Sequence, residues 1–185
     1  AIEAPAAGAP GSEPLHLVCA DGVTLAAHWY RPTKGSAQAV AVISAATGAP
    51  QGFYRAFAQW LAGRGYAVLT YDYRGIGLSR RGPIEAETAS MREWAQQDMS
   101  AALAAANAQR VAGSQRLPLL LIGHSFGGNA LGLAHGVEHA DAVLTVASQL
   151  GDWRLWPGVH RGVTWHFFHL MLPGVAHTLG HAPGW

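Results

Sequence analysis

Leu119-Leu120-Leu121-Ile122-Gly123-His124-Ser125-Phe126-Gly127-Gly128 is the stretch that decides how this chain is read. Four aliphatic residues in a row make the most strand-like run in the sequence. Gly-x-Ser-x-Gly follows, and residues 129–137 behind it read as a helix. The bare pattern is weak, since a chain with 23 glycines produces it by chance. A strand before it and a helix behind it give it meaning. So tight a turn strains the backbone at Ser125, and only glycine neighbours leave room for that. The serine Oγ then stands clear at a helix start, where N–H groups point toward a developing oxyanion. The competing reading is a glycine-rich strand-to-helix turn with an incidental serine.

Working outward, residues 39–43, 66–71, 117–122 and 142–147 are further short apolar runs, nearly continuous rather than alternating. Strands covered on both faces read this way, which points to a parallel sheet between helical layers. Helical segments lie between them. Residues 53–64 place Phe53, Phe57, Trp60 and Leu61 on one face and end at Gly63-Arg64-Gly65. Residues 87–111 carry a stripe of Met91, Trp94, Ala95, Ala102 and Ala105, and residues 126–139 form the helix after the serine. Ahead of these, residues 15–19 and 23–30 flank Asp21-Gly22, a hairpin signal in which both central positions take positive φ. The sum is an α/β, doubly wound, mostly parallel sheet opened by an N-terminal hairpin. Residues 1–14 read as a tail, 15–147 as the core, and 148–185 as the start of a helical cap. In that cap, residues 160–172 form a short apolar helix ended by Pro173-Gly174.

Composition narrows the function. Half of the 185 residues are apolar and 12% are charged, which excludes disorder. A formal net charge of +1 leaves no basic face for a phosphate backbone, so nucleic acid is not an expected partner. Lys34 is the only lysine, which argues against a P-loop or a Schiff-base enzyme. Cys19 is the only cysteine, so neither a disulfide framework nor a thiolate metal site is expected, and a cytoplasmic setting is compatible. Residues 117–137 carry no charge, but Pro118, Gly123, Gly127 and Gly128 interrupt them, so no stable membrane insertion is expected. Asp72 ends a strand, as ribose-binding acids do. The first βα turn, Thr47-Gly48-Ala49-Pro50-Gln51-Gly52, nevertheless lacks Gly-x-Gly-x-x-Gly, and no cofactor is expected. Asp72 and Arg74 are read instead as holding the shape of their loop, with Gly75 and Gly77 making its turns.

Gly123-His124-Ser125-Phe126-Gly127-Gly128 and Asp72-Tyr73-Arg74-Gly75-Ile76-Gly77-Leu78-Ser79 together resemble the α/β-hydrolase superfamily. Within it the chain is most similar to the serine aminopeptidase and monoglyceride-lipase-like branch. Nearer still are bacterial predicted hydrolases that carry Ala46-Thr47-Gly48 after the third strand and a Trp153-Arg154-Leu155-Trp156-Pro157-Gly158-like segment. The resemblance spans about residues 15–158. It implies a nucleophile elbow at Ser125 and an oxyanion hole built from the Phe126 N–H and a second amide after the third strand. Most relatives have His-Gly there; Ala45-Ala46-Thr47-Gly48 stands here, and Ala46 or Thr47 is the expected donor.

A serine hydrolase also needs a base and an acid to orient it. In the resembled fold these follow the eighth and, commonly, the seventh strand, whereas residues 142–147 count as strand six. The sheet is therefore expected to be incomplete after strand six, and acid and base to lie outside this chain. Substitutes are Asp152 as acid and one of His160, His166, His169, His177 or His181 as base; His124 adjoins the serine but is aimed elsewhere. The spacings His166/His169 and His177/His181 also permit a metal, although no carboxylate accompanies them after Asp152. The expected activity is attack by Ser125 on the ester, thioester or amide carbonyl of a small-molecule acyl substrate, in the N-terminal part of a longer enzyme. The rivals are a non-catalytic, truncated hydrolase-like module acting in binding or assembly, and an intact small hydrolase using Asp152 and a cap histidine. Strand six would be an uncharged, proline-free edge, open to self-association.

Overall fold

β1 (Ser12–Val18) and β2 (Thr24–Tyr30) pair antiparallel from Ser12 opposite Tyr30 to Val18 opposite Thr24. The computed structural model describes residues 11–83, 86–113, 115–149 and 152–179. The first strand thus begins inside the segment read as a tail. The hairpin is as expected, but its turn is of another kind. Gly22 alone has positive φ (83°), and its amide donates to the Cys19 carbonyl at 2.9 Å. A three-residue loop with glycine in the left-handed position needs only one such residue, so Asp21 keeps ordinary geometry and its Oδ1 accepts from the Val23 amide.

β3 (Ala39–Ser44), β4 (Tyr66–Tyr71), β5 (Leu119–His124) and β6 (Ala142–Val146) complete one sheet of order β1-β2-β4-β3-β5-β6. β2 meets β4 antiparallel; the pairs β3–β4, β3–β5 and β5–β6 are parallel. The four continuous apolar runs are therefore the four parallel strands. β3 and β4 are buried from their second residue on, while every residue of β6, at the end of the sheet, is exposed.

The helices depart further from the sequence pattern. α1 (Arg55–Ala62), preceded by a 3₁₀ turn at Gln51–Tyr54, buries Ala58, Leu61 and Ala62. Phe53, Phe57 and Trp60, expected inside, lie outside, with Phe57 stacked on Trp60 and the Arg64 guanidinium 3.6 Å above the Trp60 ring. Small residues let the helix sit close to β4; the bulky face turned outward as a result. The Ala-rich helix begins at Met91 rather than residue 87, because Ser90 and Glu93 form a reciprocal cap there. It runs as α2 (Met91–Glu93), a wide π-type turn (Trp94–Met99) and α3 (Ser100–Val111). Met91 is exposed, while Trp94, Ala95 and Ala102 are buried as expected and the buried face also takes in Asp98, Met99, Leu103 and Ala106.

The helix expected over 126–139 is broken into α4 (Phe126–Asn129) and 3₁₀ turns at Ala130–Leu133 and Val137–His139. Gly127, Gly128 and Gly132 weaken it, and Gly136 leaves helical space with φ 97°. Beyond the sheet, α5 (Gly158–His166), a π-type turn (Phe167–Met171) and α6 (Leu172–Leu179) run on through Pro173-Gly174, where an end was expected. The widened turn lies directly ahead of the proline, where the helical ladder loses a donor. Val159, Val163, Phe168 and Leu170 on this helix are exposed. No helix among the described residues is long and apolar enough to cross a membrane.

Candidate active site

β4 lies on one side of β3 and β5 on the other, so the chain reverses its direction of travel across the sheet at β3. Loops leaving the carboxyl ends of β3 and β5 therefore splay apart to opposite faces, and open α/β sheets form their ligand crevice at such a point. The two loops there are Ala45-Ala46-Thr47-Gly48 and the turn at Ser125, the two segments the sequence put forward.

Ser125 has φ 51° and ψ −113°, one of two non-glycine residues with positive φ among those described. Its amide donates to the Val146 carbonyl of β6 at 2.8 Å, and its carbonyl accepts from the Gly128 and Asn129 amides. Glycines on both sides make the turn feasible. A Cβ on Gly127 would overlap the Ser44 carbonyl, and one on Gly123 would overlap Gly128. The Phe126 ring is seated edge-on against both Tyr73 and Trp94, which stack on each other at 5.2 Å. That aromatic seat orients the first residue of α4, whose amide, as in any helix start, has no partner within the helix.

Across the crevice, the Ala46 amide donates to the Tyr54 hydroxyl at 2.9 Å, and that hydroxyl also shares a hydrogen bond with His124 Nδ1 at 2.9 Å. Ala46 is thus already engaged, while Thr47 beside it is exposed. The Ala46 carbonyl accepts from the Ala49 amide at 3.1 Å, and Gly48 sits in the turn with φ 72°. Below lie two more tyrosines. Tyr71 shares a hydrogen bond with Ser44 Oγ at 3.0 Å, and Tyr73 donates to the Ala45 carbonyl at 3.5 Å. Burial raises all three phenols above the usual tyrosine range, so they stay neutral hydrogen-bonding groups.

Asp72 and Arg74 hold their loop as expected. Asp72 accepts from the Gln51 and Leu78 amides and from Gln51 Nε2, tying the β3 and β4 loops together. Burial raises its carboxyl against the pull of those donors. Gly75 and Gly77 both take positive φ, and Gly77 lies hard against the Asp72 carboxylate. Arg74 Nε donates to the fully buried Asp98 at 2.7 Å and its Nη1 to Asp21 at 2.6 Å; Asp21 is held below the ordinary carboxylate range by that bond. Tyr54, Tyr71, Tyr73, Gln51 and Asp98 were not singled out in the sequence. Tyr73 and Gln51 stand inside quoted segments that gave them no role, and Tyr54, Tyr71 and Asp98 belong to no motif. The Ser90-x-x-Glu93 capping pair, which fixes the helix start, is the signal that could have shown where Asp98 faces.

The substitute acid and base are not brought to Ser125. Asp152 accepts from the Arg154 amide and guanidinium within its own 3₁₀ turn. His160, His166, His169 and His177 lie exposed on the helix after the sheet, with His169 stacked on Trp165; His181 lies outside the described residues. None of them is hydrogen-bonded to Ser125 among the described residues. Nor, among those residues, do three His, Cys, Asp or Glu side chains gather as a metal site.

A family model described as "Serine aminopeptidase, S33" matches residues 35–179. Among solved structures, the chain is similar to an α/β serine hydrolase without lid from Xanthomonas campestris, at 20% identity and TM-score 0.59 over 81% of this chain and 66% of that one. It is similar to the α/β-hydrolase GrgF from Penicillium at 20% identity and TM-score 0.59, over 94% of this chain and 57% of that one. It is also similar to a bacterial brefeldin A esterase at 17% identity and TM-score 0.57, over 88% of this chain and 48% of that one. The chain thus spans between about half and two thirds of the length of these structures. No curated protein sequence matches it.

Proposed function

The chain belongs to the serine aminopeptidase family of the α/β-hydrolases, and from that premise we propose that it carries the nucleophile half of a serine hydrolase acting on acyl substrates. The observation that carries the reading is the strained backbone of Ser125, φ 51°, on a turn between β5 and α4 at the switch point of the sheet. Strain of this kind costs on the order of 1–3 kcal/mol and is kept where it aims a side chain. Ser125 Oγ attacks the carbonyl carbon of an ester, thioester or amide, forming the C–O bond as the carbonyl oxygen gains charge. The Phe126 amide at the start of α4 and an amide of the β3 loop receive that oxyanion. The serine proton passes to a histidine base, which returns it to the leaving group as the acyl bond breaks. That base and its acid partner are assigned to sequence beyond residues 1–185, since Asp152 is engaged with Arg154.

In the full-length protein, wild type should label with a fluorophosphonate probe and hydrolyse p-nitrophenyl esters. Ser125→Ala should lose both by several orders of magnitude while keeping its melting temperature. A Ser125→Ala variant that retains most of its activity overturns the assignment. The engagement of Asp152 and the exposure of the cap histidines also favour a second reading, a non-catalytic module for binding or assembly. Absence of labelling in correctly folded full-length protein would select it.

A further inference from the structure

The Ala46 amide and His124 come from opposite sides of the crevice, one from the loop after β3 and the other from the last position of β5. One atom joins them. Tyr54 Oη lies 2.9 Å from the Ala46 nitrogen and 2.9 Å from His124 Nδ1, and the ring is held edge-on to His124 with only 8% of the residue exposed. A phenol has one proton to give and lone pairs to receive. Here it receives from Ala46, and its own proton lies between the phenol and His124.

We propose that Tyr54 is a positioning residue of the hydrolytic site, fastening the oxyanion loop to the serine turn and taking up the Ala46 amide, so that Thr47 supplies the second oxyanion donor. The inference rests on the reading of Ser125 as the nucleophile. An oxyanion hole works only if its donors already stand where the charge develops, within about 2.7–3.1 Å. The β3 loop and the Ser125 turn belong to different strands, and the flank of the crevice carrying Thr47 is exposed to solvent. A buried hydroxyl bonded to both sides sets their separation. The same bond removes Ala46 from consideration, because a hydrogen already directed at Tyr54 does not point at substrate. Thr47 is next in the chain and occupies the second position of the turn closed by Ala49.

The test uses the full-length enzyme. Tyr54→Phe keeps the ring and deletes the bridging oxygen. It should lower kcat about 10- to 100-fold with KM within about twofold, because loosened donors cost transition-state rather than ground-state binding. A boronic acid, whose tetrahedral adduct on Ser125 fills the oxyanion hole, should lose affinity in parallel. A purely structural role would lower the melting temperature and leave that split unmoved. Thr47→Pro is the second variant. Proline fits the second position of such a turn and removes the amide hydrogen together with an exposed side chain, so kcat should fall by about 10²–10³ with the fold intact. Thr47→Ala, which keeps the amide hydrogen, should leave kcat within about threefold. Tyr54→Phe with wild-type kcat and boronate affinity, or Thr47→Pro with wild-type kcat, overturns the proposal. Ser125→Ala run alongside separates the failures. If it is inactive while Tyr54→Phe is unimpaired, only the Tyr54 assignment falls; if it remains active, the hydrolytic reading falls with it.

Discussion

Gly127 lies so close to the Ser44 carbonyl that a side-chain carbon on it would overlap that oxygen. This contact seats α4 on the end of β3 and sets the Ser125 turn beside the β3 loop. The obstacle is backbone, which cannot swing aside as a side chain can. Gly127→Ala should therefore destabilise by about 2–3 kcal/mol in urea unfolding. Gly132→Ala, five residues on and facing open space, should change stability by less than about 0.5 kcal/mol or raise it. Equal midpoints for the two variants would show that α4 can lift off β3.

Relief of strain should be measurable at Ser125 itself. Glycine adopts φ 51° without the steric penalty that serine meets there. Ser125→Gly should raise the melting temperature by about 2–6 °C while eliminating activity. A fall in melting temperature would mean that the serine side chain contributes more than its backbone costs.

Cys19 is buried beside Asp98, its Sγ 3.4 Å from Oδ1, and burial followed by the neighbouring carboxylate pushes its thiol up to about 12. A thiol ionises near 8.5 in an unfolded chain. Between those values the folded state keeps a proton that the unfolded state releases, so this group's contribution to stability is complete below about 8.5 and is lost as pH rises toward 12. Cys19→Ala should flatten the decline of stability above pH 8.5. In the native protein at pH 8, a disulfide reagent should react with Cys19 only as fast as the chain opens. Rapid stoichiometric labelling of native protein would contradict this.

β6 ends the sheet with Val143, Leu144 and Val146 each about half exposed and with one row of backbone groups facing away from β5. The 185-residue chain should self-associate through this edge, seen as a mass above 19.5 kDa in light scattering across a dilution series. Leu144→Lys should restore the monomer. A concentrated wild-type monomer with slow amide exchange from Val143 to Val146 would show the edge to be protected.

The sheet was legible because strands buried on both faces leave continuous apolar runs, as β3, β4 and β5 did; β6 left the same kind of run although every residue of it is exposed. The Ser125 turn was legible because a steric requirement for glycine is written directly into composition. The inner face of α1 was not. Periodicity favours the largest apolar residues, Phe57 and Trp60, whereas close approach to β4 selected Ala58 and Ala62. Asp98 lies outside the apolar stripe that periodicity picks out, yet it is fully buried. Its meaning depends on Arg74, 24 residues earlier, and no local pattern links the two. Tyr54 was hidden for a related reason: it belongs to a 3₁₀ turn, and its importance comes from what the fold places against its hydroxyl rather than from its neighbours in sequence.

The pairing of β3 with β5, Val40 opposite Leu119, skips over the whole of β4 and the helices α1 to α3. Chain closure over that distance comes after local pairings such as the β1–β2 hairpin, because its entropy cost must be met before any contact across it is gained. The crevice lies at the far end of that pairing. Ala46, Thr47 and Ser125 therefore have no fixed relation until the centre of the sheet has zipped together. On the proposed reading of Ser125, the parts of the site meet only once the most distant pairing at the centre of the sheet has formed. A partly folded copy with most of its local secondary structure would still lack an assembled oxyanion hole.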